Sequence, residues 1–336
     1  MLNLYKSNKL NELVTDRFDL TQHIDVTMLD VATGEGLEVV GPMSHEHSHV
    51  FIAKDKHRNR HVIKAARSGE PLEKELAILQ EIQDIYGVLL PHTITSHHNR
   101  AFLIYDYKKT LGDVISQGSD IPLLSKLIYI HRAARTVDAV HQRGYIHKDL
   151  TSKNLYPDDT MYVSDFGDSG IEGERVTGVE DNINTCLGYF SPLEFNTETK
   201  MQHFSRNGDV FQLCMVLFQW MTMKPFALLV GGDKQQVIDP YYIIDRVDEF
   251  RFNGMEDEYS LLKAHGLHGS RFLDEMGRQY PRTGTVIQDY YEFMDLVYQS
   301  IHIPELCPTM ADFNQPLEQS INSLETSLQY AKKTRD

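Results

Sequence analysis

The first third of the chain alternates apolar and polar positions with the two-residue period of β-strands. GLEVVG, HVFIAKD and HVIKAA are short apolar or β-branched runs separated by polar turns, and TITSHHNRAFLIYDY contains two further runs around a polar turn. One segment has a helical period instead, and it begins near Pro71, which suits a first helical turn. Its apolar residues follow near-helical spacing: Leu72, Leu76, Leu79 and Ile82. This pattern predicts a small β-rich lobe that contains one helix.

Beyond Lys109 the pattern becomes helical. LLSKLIYIHRAARTVDAVHQRG predicts a long amphipathic helix that ends at Gly144, a residue type that favours helix C-termini. The most apolar stretch runs from Val210 to Met223, and because it is too short to span a membrane it predicts a buried helix. NSLETSLQYAKKTRD has the pattern of a polar helical tail. The chain is therefore predicted to be α+β, with a larger, mainly helical lobe after the small one.

These changes in pattern predict four regions in the 336-residue chain. The first region has no strong period, and we predict an N-terminal extension there. It is followed by the β-rich lobe, the helical lobe and the helical tail. In this order the predicted regions are 1–36, 37–107, 108–317 and 318–336.

Charge limits the function classes. The chain contains 33 Lys and Arg against 48 Asp and Glu, which gives a formal net charge of −15. No basic stripe is available to neutralise a phosphate backbone, so the composition argues against nucleic-acid binding. It does not exclude ATP, because a local lysine and metal ions can hold a nucleotide on an acidic protein.

The cysteines and the N-terminal sequence indicate in which cellular compartment the protein is expected. Cys186, Cys214 and Cys307 are far apart and odd in number, so neither a disulfide framework nor a CxxC metal pair is predicted. MLNLYKSNKLNELVTD lacks the uninterrupted apolar segment of a secretory signal. We therefore predict a cytoplasmic location, which would be the host cytosol for a secreted effector, and no membrane span.

Two short motifs in the larger lobe carry the residue types that phosphoryl transfer needs. HKDLTSKN contains Asp149, which suits the task of orienting the attacking hydroxyl and accepting its proton. Asn154, five residues later, and Asp165 in DFG supply oxygen ligands for Mg²⁺ or Mn²⁺ on the phosphates. Lys64 in HVIKAA supplies a cation for the phosphate oxygens.

This ordered set resembles the protein kinase superfamily. HKDLTSKN is similar to the catalytic-loop pattern H-R-D-L-x-x-x-N, DFG matches letter for letter, and HVIKAA is similar to the V-A-I-K strand. YFSPLE resembles A-P-E with one inserted residue, NGDVFQLCMVLF resembles the family's buried helix, and CPTMADF resembles a late R-P-T segment. The resemblance covers roughly residues 38–317 and implies a bilobal protein-kinase-like fold that binds ATP and a protein substrate.

The resemblance implies roles for individual residues. Glu75 would pair with Lys64, although Glu73 and Glu81 on the same helix are alternatives, and Asp209 would brace the catalytic loop. The implied catalytic residues are Asp149, Lys64, Glu75 and Lys153. The implied ATP-binding residues are Gly41, His45, Ser48, Val50, Lys64, Asp106 and Tyr107. The implied metal ligands are Asn154 and Asp165.

The stretch GPMSHEHSHV departs from the family pattern. The glycines of G-x-G-x-x-G would fall on Met43, His45 and Ser48, and only Gly41, two positions early, remains. The alternating histidines of this stretch also allow a metal site: His45, His47 and His49. No Cys or carboxylate follows at ligand spacing, so we favour a divergent phosphate-covering hairpin over a metal site.

Other departures affect regulation. Lys148 replaces an arginine that grips a phosphorylated loop, and Cys307 replaces the arginine that would pair with Glu194. The loop from residue 168 to 184 contains two hydroxyl residues, Ser169 and Thr177, among several acidic ones. The acidic residues include Glu172, Glu174, Glu180 and Asp181. Because such carboxylates can partly replace a phosphate, we predict activation without phosphorylation.

Three function classes follow. The complete catalytic set favours an active protein kinase, with serine or threonine preferred over tyrosine as acceptor. The missing loop glycines favour a pseudokinase, which keeps the fold as a scaffold or nucleotide-binding module. A small-molecule kinase of the aminoglycoside or choline type is the third class. Such enzymes share the H-x-D…N pattern but lack the DFG and SPLE arrangement. The identity of the protein substrate cannot be read from the sequence.

Overall fold

The computed structural model describes most of the chain, including both predicted lobes. The described residues are 31–42, 50–65, 72–97, 100–118, 121–172, 175–176, 195–196, 201–222, 283–302 and 306–333. The chain divides into two units. The first unit consists of Met1–Leu79 and Leu90–Lys108, and the second of Gln80–Leu89 and Lys109–Asp336.

The first unit is built on a five-stranded antiparallel sheet in the order β1-β2-β3-β5-β4. Its strands are β1 (Glu38–Pro42), β2 (Val50–Lys54), β3 (Arg60–Ala65), β4 (Thr93–His97) and β5 (Arg100–Asp106). Each predicted run of alternating residues forms one of these strands. The alternation succeeds as a signal because β2, β3 and β5 each bury one face in a common core, to which β1 adds the partly buried Val39.

The register of β2, β3 and β5 separates the face that belongs to the core cluster from the face that carries Lys64. Ile63 on β3 lies between Phe51 and Ile104, and all three are buried. The next residue, Lys64, points to the opposite face, where its strand neighbours are Val50 and Leu103. The core cluster has eight buried members: Val31, Ala32, Phe51, Ala53, Ile63, Ala65, Phe102 and Ile104.

Two members of this core come from the region predicted as an N-terminal extension. Val31 and Ala32 lie in a single helical turn of residues 31–34 and are 5% and 1% exposed. They pack with the sheet residues of the core cluster, so the last residues of the predicted extension are part of the first unit.

Helix α1 (Leu72–Ile82) is the one helix predicted within the β-rich region, and it places Glu75. Ile78, Leu79 and Ile82 are buried along it, and Glu75 is buried with them at 2% exposure. Pro71 lies outside the described residues. The division between the two units falls within α1, after Leu79.

The second unit is mainly helical among its described residues. Its helices are α2 (Leu111–Ser116), α3 (Leu123–Gln142), α4 (Arg206–Thr222), α5 (Thr283–His302) and α6 (Met310–Lys333). Helix α3 is the predicted long amphipathic helix, and it is followed by Arg143 and by Gly144 with φ of +89°. A left-handed residue at this place ends the helix, which explains the glycine.

Helix α4 is the predicted buried helix. Almost every residue from Val210 to Trp220 is buried, because α4 packs against α3, α5 and α6. Phe293 of α5 and Phe313 of α6 also meet in this core, with ring centres 5.5 Å apart. None of the helices in the described part of the chain is long and apolar enough to cross a membrane.

Helix α6 runs through the predicted boundary between residues 317 and 318. Leu317, Ile321 and Leu324 are all buried, so one apolar face continues across that position. The segment predicted as a polar tail is therefore the second half of a core helix. The apolar positions are spaced at three and four residues among many polar ones, which gives the segment its polar appearance.

Short strands of the second unit frame the two motif loops. Strands β6 (Tyr145–Ile146) and β9 (Gly170–Ile171) pair with each other, as do β7 (Leu155–Pro157) and β8 (Met161–Val163). HKDLTSKN lies between β6 and β7, and DFG lies between β8 and β9. The remaining strands form a three-stranded sheet: β10 (Arg175–Val176), β11 (Phe195–Asn196) and β12 (Met201–His203). The two pairings bring the motif loops together.

Candidate active site

In the first unit, Lys64 and Glu75 form an ion pair. The Nζ atom of Lys64 lies 2.9 Å from both carboxylate oxygens of Glu75. The side chains are only 17% and 3% exposed, so the pair lies largely away from bulk water. Burial makes the charge–charge attraction stronger and makes the removal of either partner costly. The carboxylate therefore holds the ammonium group of Lys64 in one position on its strand.

The other predicted ATP-binding residues of the first unit fall into two groups. Val50 pairs with Lys64 across β2 and β3, so both side chains lie on the same face of the sheet. Asp106 pairs with His61, an odd number of positions from Lys64, so its side chain lies on the opposite face. Only the backbone of Asp106 can then face a nucleotide bound by Lys64.

Tyr107 and Gly41 lie at the ends of strands. The backbone N–H of Tyr107 donates to the carbonyl of Arg60 at 3.0 Å, and the Arg60 guanidinium lies 3.9 Å from the centre of the Tyr107 ring. Gly41 follows an irregularity in the pairing of β1 with β2. His45 and Ser48, and with them the predicted phosphate-covering hairpin, lie outside the described residues.

In the second unit, Asp209 of α4 holds the start of the HKDLTSKN loop. Its carboxylate accepts hydrogen bonds from the backbone N–H groups of His147 at 2.7 Å and Lys148 at 2.9 Å. It also accepts a hydrogen bond from Nε2 of His141 on α3 at 2.8 Å. Asp209 is 1% exposed, so these three donors neutralise and solvate a buried charge.

Gln212, one turn after Asp209 on α4, holds the same loop by a second set of contacts. Its Oε1 accepts from the backbone N–H of Leu150, and its Nε2 donates to the carbonyl of Lys148, both at 2.8 Å. Gln212 is not among the site residues predicted from the sequence. The signal was an amide side chain in an otherwise apolar helix, three residues after the predicted bracing aspartate.

His147 connects the HKDLTSKN loop to the DFG segment. Its Nε2 donates to the carbonyl of Ser164 at 2.9 Å, so Nδ1 is the acceptor for the backbone N–H of Asp149 at 3.3 Å. The imidazole also packs against the ring of Phe166, with centres 4.8 Å apart. Burial lowers the pKa of His147, which keeps it in the neutral form that this arrangement requires.

Asn154 holds Asp149. Its Nδ2 donates to the carbonyl of Asp149 and to the carboxylate Oδ2 of the same residue, both at 2.8 Å. The other carboxylate oxygen, Oδ1, is buried and accepts no hydrogen bond from the described residues. Burial and the negative charges of Asp165 and Asp168 raise the pKa of Asp149 to about 7. A fixed carboxylate oxygen without a donor suits the task of accepting a proton.

Asn154 and Asp165 are a suitable ligand set for a hard cation. Because the amide nitrogen of Asn154 donates to Asp149, its amide oxygen is the atom that remains for a metal. Asp165 has an exposed carboxylate and a left-handed backbone with φ of +63°. Such a conformation is uncommon outside glycine and is often found at functional sites. Carboxylate and amide oxygens favour Mg²⁺ or Mn²⁺ over softer ions.

Comparison with known proteins agrees with this geometry. The profile of the family described as "Protein tyrosine and serine/threonine kinase" matches residues 42–247, which is more than half of the chain. The chain belongs to the protein kinase family. The resemblance and the bilobal α+β fold class predicted from the sequence are thereby confirmed.

Individual relatives are distant. A serine/threonine-protein kinase US3 homolog of Gallid herpesvirus 2 (strain GA) is 24% identical over 191 residues, which is 54% of this chain and 46% of the relative. The serine/threonine-protein kinase PDK1 of Cryptococcus neoformans var. grubii is 25% identical over 122 residues, which is 34% of this chain and 10% of the relative. The chain is thus a divergent member of the protein kinase family, and it spans about half or less of the length of these relatives.

The kinase's Lys148 is not placed as an exposed phosphate-binding cation. It has a left-handed backbone, with φ of +72°, and it is 3% exposed. Its Nζ lies 4.9 Å from the centre of the Phe204 ring, a cation–π contact. Ser169 is buried too, and its hydroxyl donates to the carbonyl of His147. In this conformation Ser169 is not accessible as a phosphate acceptor. Thr177 and Glu194 lie outside the described residues.

Two other departures of this kinase have local explanations. Cys307, at the place of the family's arginine, donates from Sγ to the carbonyl of Asn207 at 3.3 Å, and Asn207 Nδ2 donates back to the Cys307 carbonyl at 3.3 Å. These contacts join the start of α4 to the segment before α6 without an ion pair. Lys153, predicted as catalytic, is exposed in the HKDLTSKN loop.

We expect Asp209→Ala to lower the free energy of unfolding by about 3–5 kcal/mol, because it leaves three buried donors without an acceptor. Denaturant unfolding followed by circular dichroism measures this change. The matched control is Asp84→Asn, which weakens an exposed ion pair with Arg143 and should have little effect. Equal effects of the two substitutions would contradict the bracing role of Asp209.

Proposed function

We propose that the chain is an active protein kinase that transfers the γ-phosphate of ATP to a protein hydroxyl, with serine or threonine preferred over tyrosine. The observation that carries the proposal is the state of Asp149, whose buried Oδ1 has no donor among the described residues while Asn154 holds Oδ2. A substrate hydroxyl is a donor that suits this atom. Asp149 would then orient the hydroxyl and accept its proton during transfer.

The other residues of this set would bind and orient ATP and its metal ion. Lys64, held by Glu75, would bind phosphate oxygens of ATP, and Val50 would contact the nucleotide on the same face of the sheet. Asn154 and Asp165 would hold Mg²⁺ or Mn²⁺, and the metal–nucleotide complex supplies the transferable phosphoryl group with part of its charge neutralised. Lys153, exposed beside Asp149 in the same loop, would add positive charge near the transferred group.

The proposal that the acceptor is serine or threonine rests on the segment before SPLE and on the relatives. TCLGYF is similar to the corresponding segment of serine/threonine kinases, and the relatives described above are named as serine/threonine kinases. A net charge of −15 favours a protein over a nucleic acid as the acceptor. We also propose that the kinase acts in the cytoplasm, which fits cysteines that form no predicted disulfide framework.

A pseudokinase is the second candidate, and the specific observation that favours it is the glycine-poor GPMSHEHSHV stretch. Side chains at glycine positions keep the backbone farther from the phosphates and weaken nucleotide binding. Against this candidate, the residues for chemistry are all present: Lys64, Glu75, Asp149, Asn154 and Asp165. A small-molecule kinase is less well supported, because the chain has the DFG and SPLE segments.

The test is incubation of the purified chain with ATP labelled in its γ-phosphate. Three acceptors should be compared: a mixture of generic protein substrates, an aminoglycoside and choline. We expect label on protein, dependent on Mg²⁺ or Mn²⁺ and abolished by excess chelator. Label on a small molecule would identify the third class instead. No transfer to any acceptor or to the chain itself, with nucleotide binding that is equal with and without chelator, would favour the pseudokinase.

A further inference from the structure

Three metal-binding side chains meet at one end of the first unit's sheet. His61 lies on β3, His92 directly precedes β4, and Asp106 ends β5. His61 and Asp106 are direct partners in the β3–β5 ladder, and the backbone N–H of His92 donates to the carbonyl of Ile104. The three side chains therefore come from three adjacent strands, and hydrogen-bonded backbone fixes their positions.

The three ligand atoms form a triangle of the size that one metal ion requires. Nδ1 of His61 lies 3.3 Å from Nε2 of His92 and 3.5 Å from Oδ1 of Asp106. Nε2 of His92 lies 3.8 Å from the same Asp106 oxygen. Ligands about 2.0–2.1 Å from a tetrahedral zinc ion are separated by about 3.3–3.5 Å. Small side-chain shifts would bring all three atoms to one ion.

The far nitrogen of one of the two imidazoles has an oxygen partner, as in metal sites. Nδ1 of His92 lies 2.9 Å from Oγ1 of Thr93, which can accept its proton. Nε2 of His61 is buried and has no hydrogen-bond partner among the described residues, and Oδ2 of Asp55 lies 3.7 Å from it, beyond hydrogen-bond distance. Asp55 is itself fixed by hydrogen bonds from the backbone and side chain of Asn59. The near nitrogens, Nδ1 of His61 and Nε2 of His92, lie at hydrogen-bond distance, so in the absence of an ion a proton on one of them is donated to the other.

We propose that His61, His92 and Asp106 bind one divalent ion of the zinc class, with Zn²⁺ as the reference ion and solvent completing its coordination. A divalent cation at this place would replace the proton shared by the two nitrogens, bind both of them and neutralise the nearby carboxylate of Asp106. Imidazole ligands select Zn²⁺, Co²⁺ or Ni²⁺ over Mg²⁺, which requires oxygen ligands. Asp106 is 73% exposed and His92 is 40% exposed, so an ion can reach the site from solvent.

This site differs from both metal sites considered from the sequence. It uses none of His45, His47 and His49, and it lacks the oxygen-only ligands of Asn154 and Asp165. The ion would join β3, β4 and β5 at one end of the sheet. Because it binds the folded unit and not the unfolded chain, it should stabilise the first unit, and above the dissociation constant the stabilisation should grow with the logarithm of the ion concentration. The proposal does not depend on phosphate transfer.

The test is calorimetric titration of the untagged, chelator-treated chain with Zn²⁺, with Co²⁺ absorption as a second measurement. We expect one equivalent of Zn²⁺ to bind, the midpoint of thermal unfolding to rise, and millimolar Mg²⁺ not to compete. Asp106→Ala and His92→Ala each remove one ligand from an exposed position and should weaken binding at least tenfold. Visible Co²⁺ absorption bands of a low-coordinate site should be lost in the same variants.

Two controls locate the ion. His57→Ala removes an exposed histidine of the neighbouring hairpin that is not part of the cluster and should leave the affinity unchanged. Replacement of His45, His47 and His49 together by alanine should also leave it unchanged. The proposal is wrong if the wild-type chain binds no Zn²⁺ at about 100 µM, a concentration far above the dissociation constants usual for specific zinc sites. It is equally wrong if only the triple variant loses binding, or if Asp106→Ala and His92→Ala both bind normally.

Discussion

Asp149→Ala should lower kcat by about 10²–10⁴-fold, because it removes the group that we assign as proton acceptor. The fold should survive the change. Burial and the charges of Asp165 and Asp168 disfavour the ionised carboxylate, so its removal should not lower the free energy of unfolding. The measurements are kcat at saturating ATP and the midpoint of denaturant unfolding.

The matched control for this variant is Asp159→Ala, which removes an exposed carboxylate near the turn between β7 and β8. We expect it to retain wild-type kcat. ATP affinity should change little in Asp149→Ala, since the proposed role of Asp149 concerns the acceptor hydroxyl. A variant that transfers phosphate at the wild-type rate would rule out the role assigned to Asp149.

Lys64→Ala should reduce kcat/KM by about 10²–10³-fold, because it removes a fixed positive charge from the proposed phosphate site. Glu75→Gln should act through the same lysine. It leaves the ammonium group of Lys64 largely buried without its counter-charge, and we expect a loss of about 2–4 kcal/mol in unfolding free energy in addition to lower activity. Steady-state kinetics and denaturant unfolding measure the two effects.

Helix α1 supplies the control for Glu75. Glu81 lies on the same helix, is exposed and was an alternative partner for Lys64 in the sequence. Glu81→Gln should leave both stability and activity close to wild type. If Glu81→Gln and Glu75→Gln had equal effects, the ion pair between Lys64 and Glu75 would not be what positions the lysine.

The sheet and the long helices could be predicted because their residues alternate or repeat against a core. Ile63 and Lys64 show the principle, since one is buried in the core cluster and the next faces the other side of the sheet. The neighbourhood of Asp149 could be predicted for a different reason. The spacing within HKDLTSKN places Asn154 five residues after Asp149, and a loop of that length folds back on itself.

Contacts between distant residues could not be predicted in the same way. His61 and His92 are 31 positions apart and meet only because β3, β5 and β4 are adjacent in the sheet. No local spacing records that adjacency, whereas the conspicuous histidine run at residues 45–49 suggested a metal site by spacing alone. Gln212 is a similar case, because its importance depends on which loop lies beside α4.

The environment of the Lys148 side chain could not be predicted from the sequence either. Its position in HKDLTSKN suggested a point charge that substitutes for the family's arginine. Instead, Lys148 is buried and packs against the ring of Phe204. Glu172, one of the acidic residues of the following loop, pairs with Arg206 at 3.2 Å. Side-chain packing of this kind depends on residues far along the chain, which a local motif does not include.

We propose that Lys64 and Asp149 act in the same phosphoryl transfer, and a single-turnover assay with ATP labelled in its γ-phosphate tests this proposal. The assay compares the wild-type chain, Asp149→Ala, Lys64→Ala and the double variant, with Mg²⁺ and generic protein substrates. The proposal predicts transfer by the wild-type chain, large losses in each single variant, and a double variant no worse than the more impaired single one, because the two residues act as a unit. A wild-type chain that transfers no label, or a double variant in which the two losses multiply fully, would contradict it.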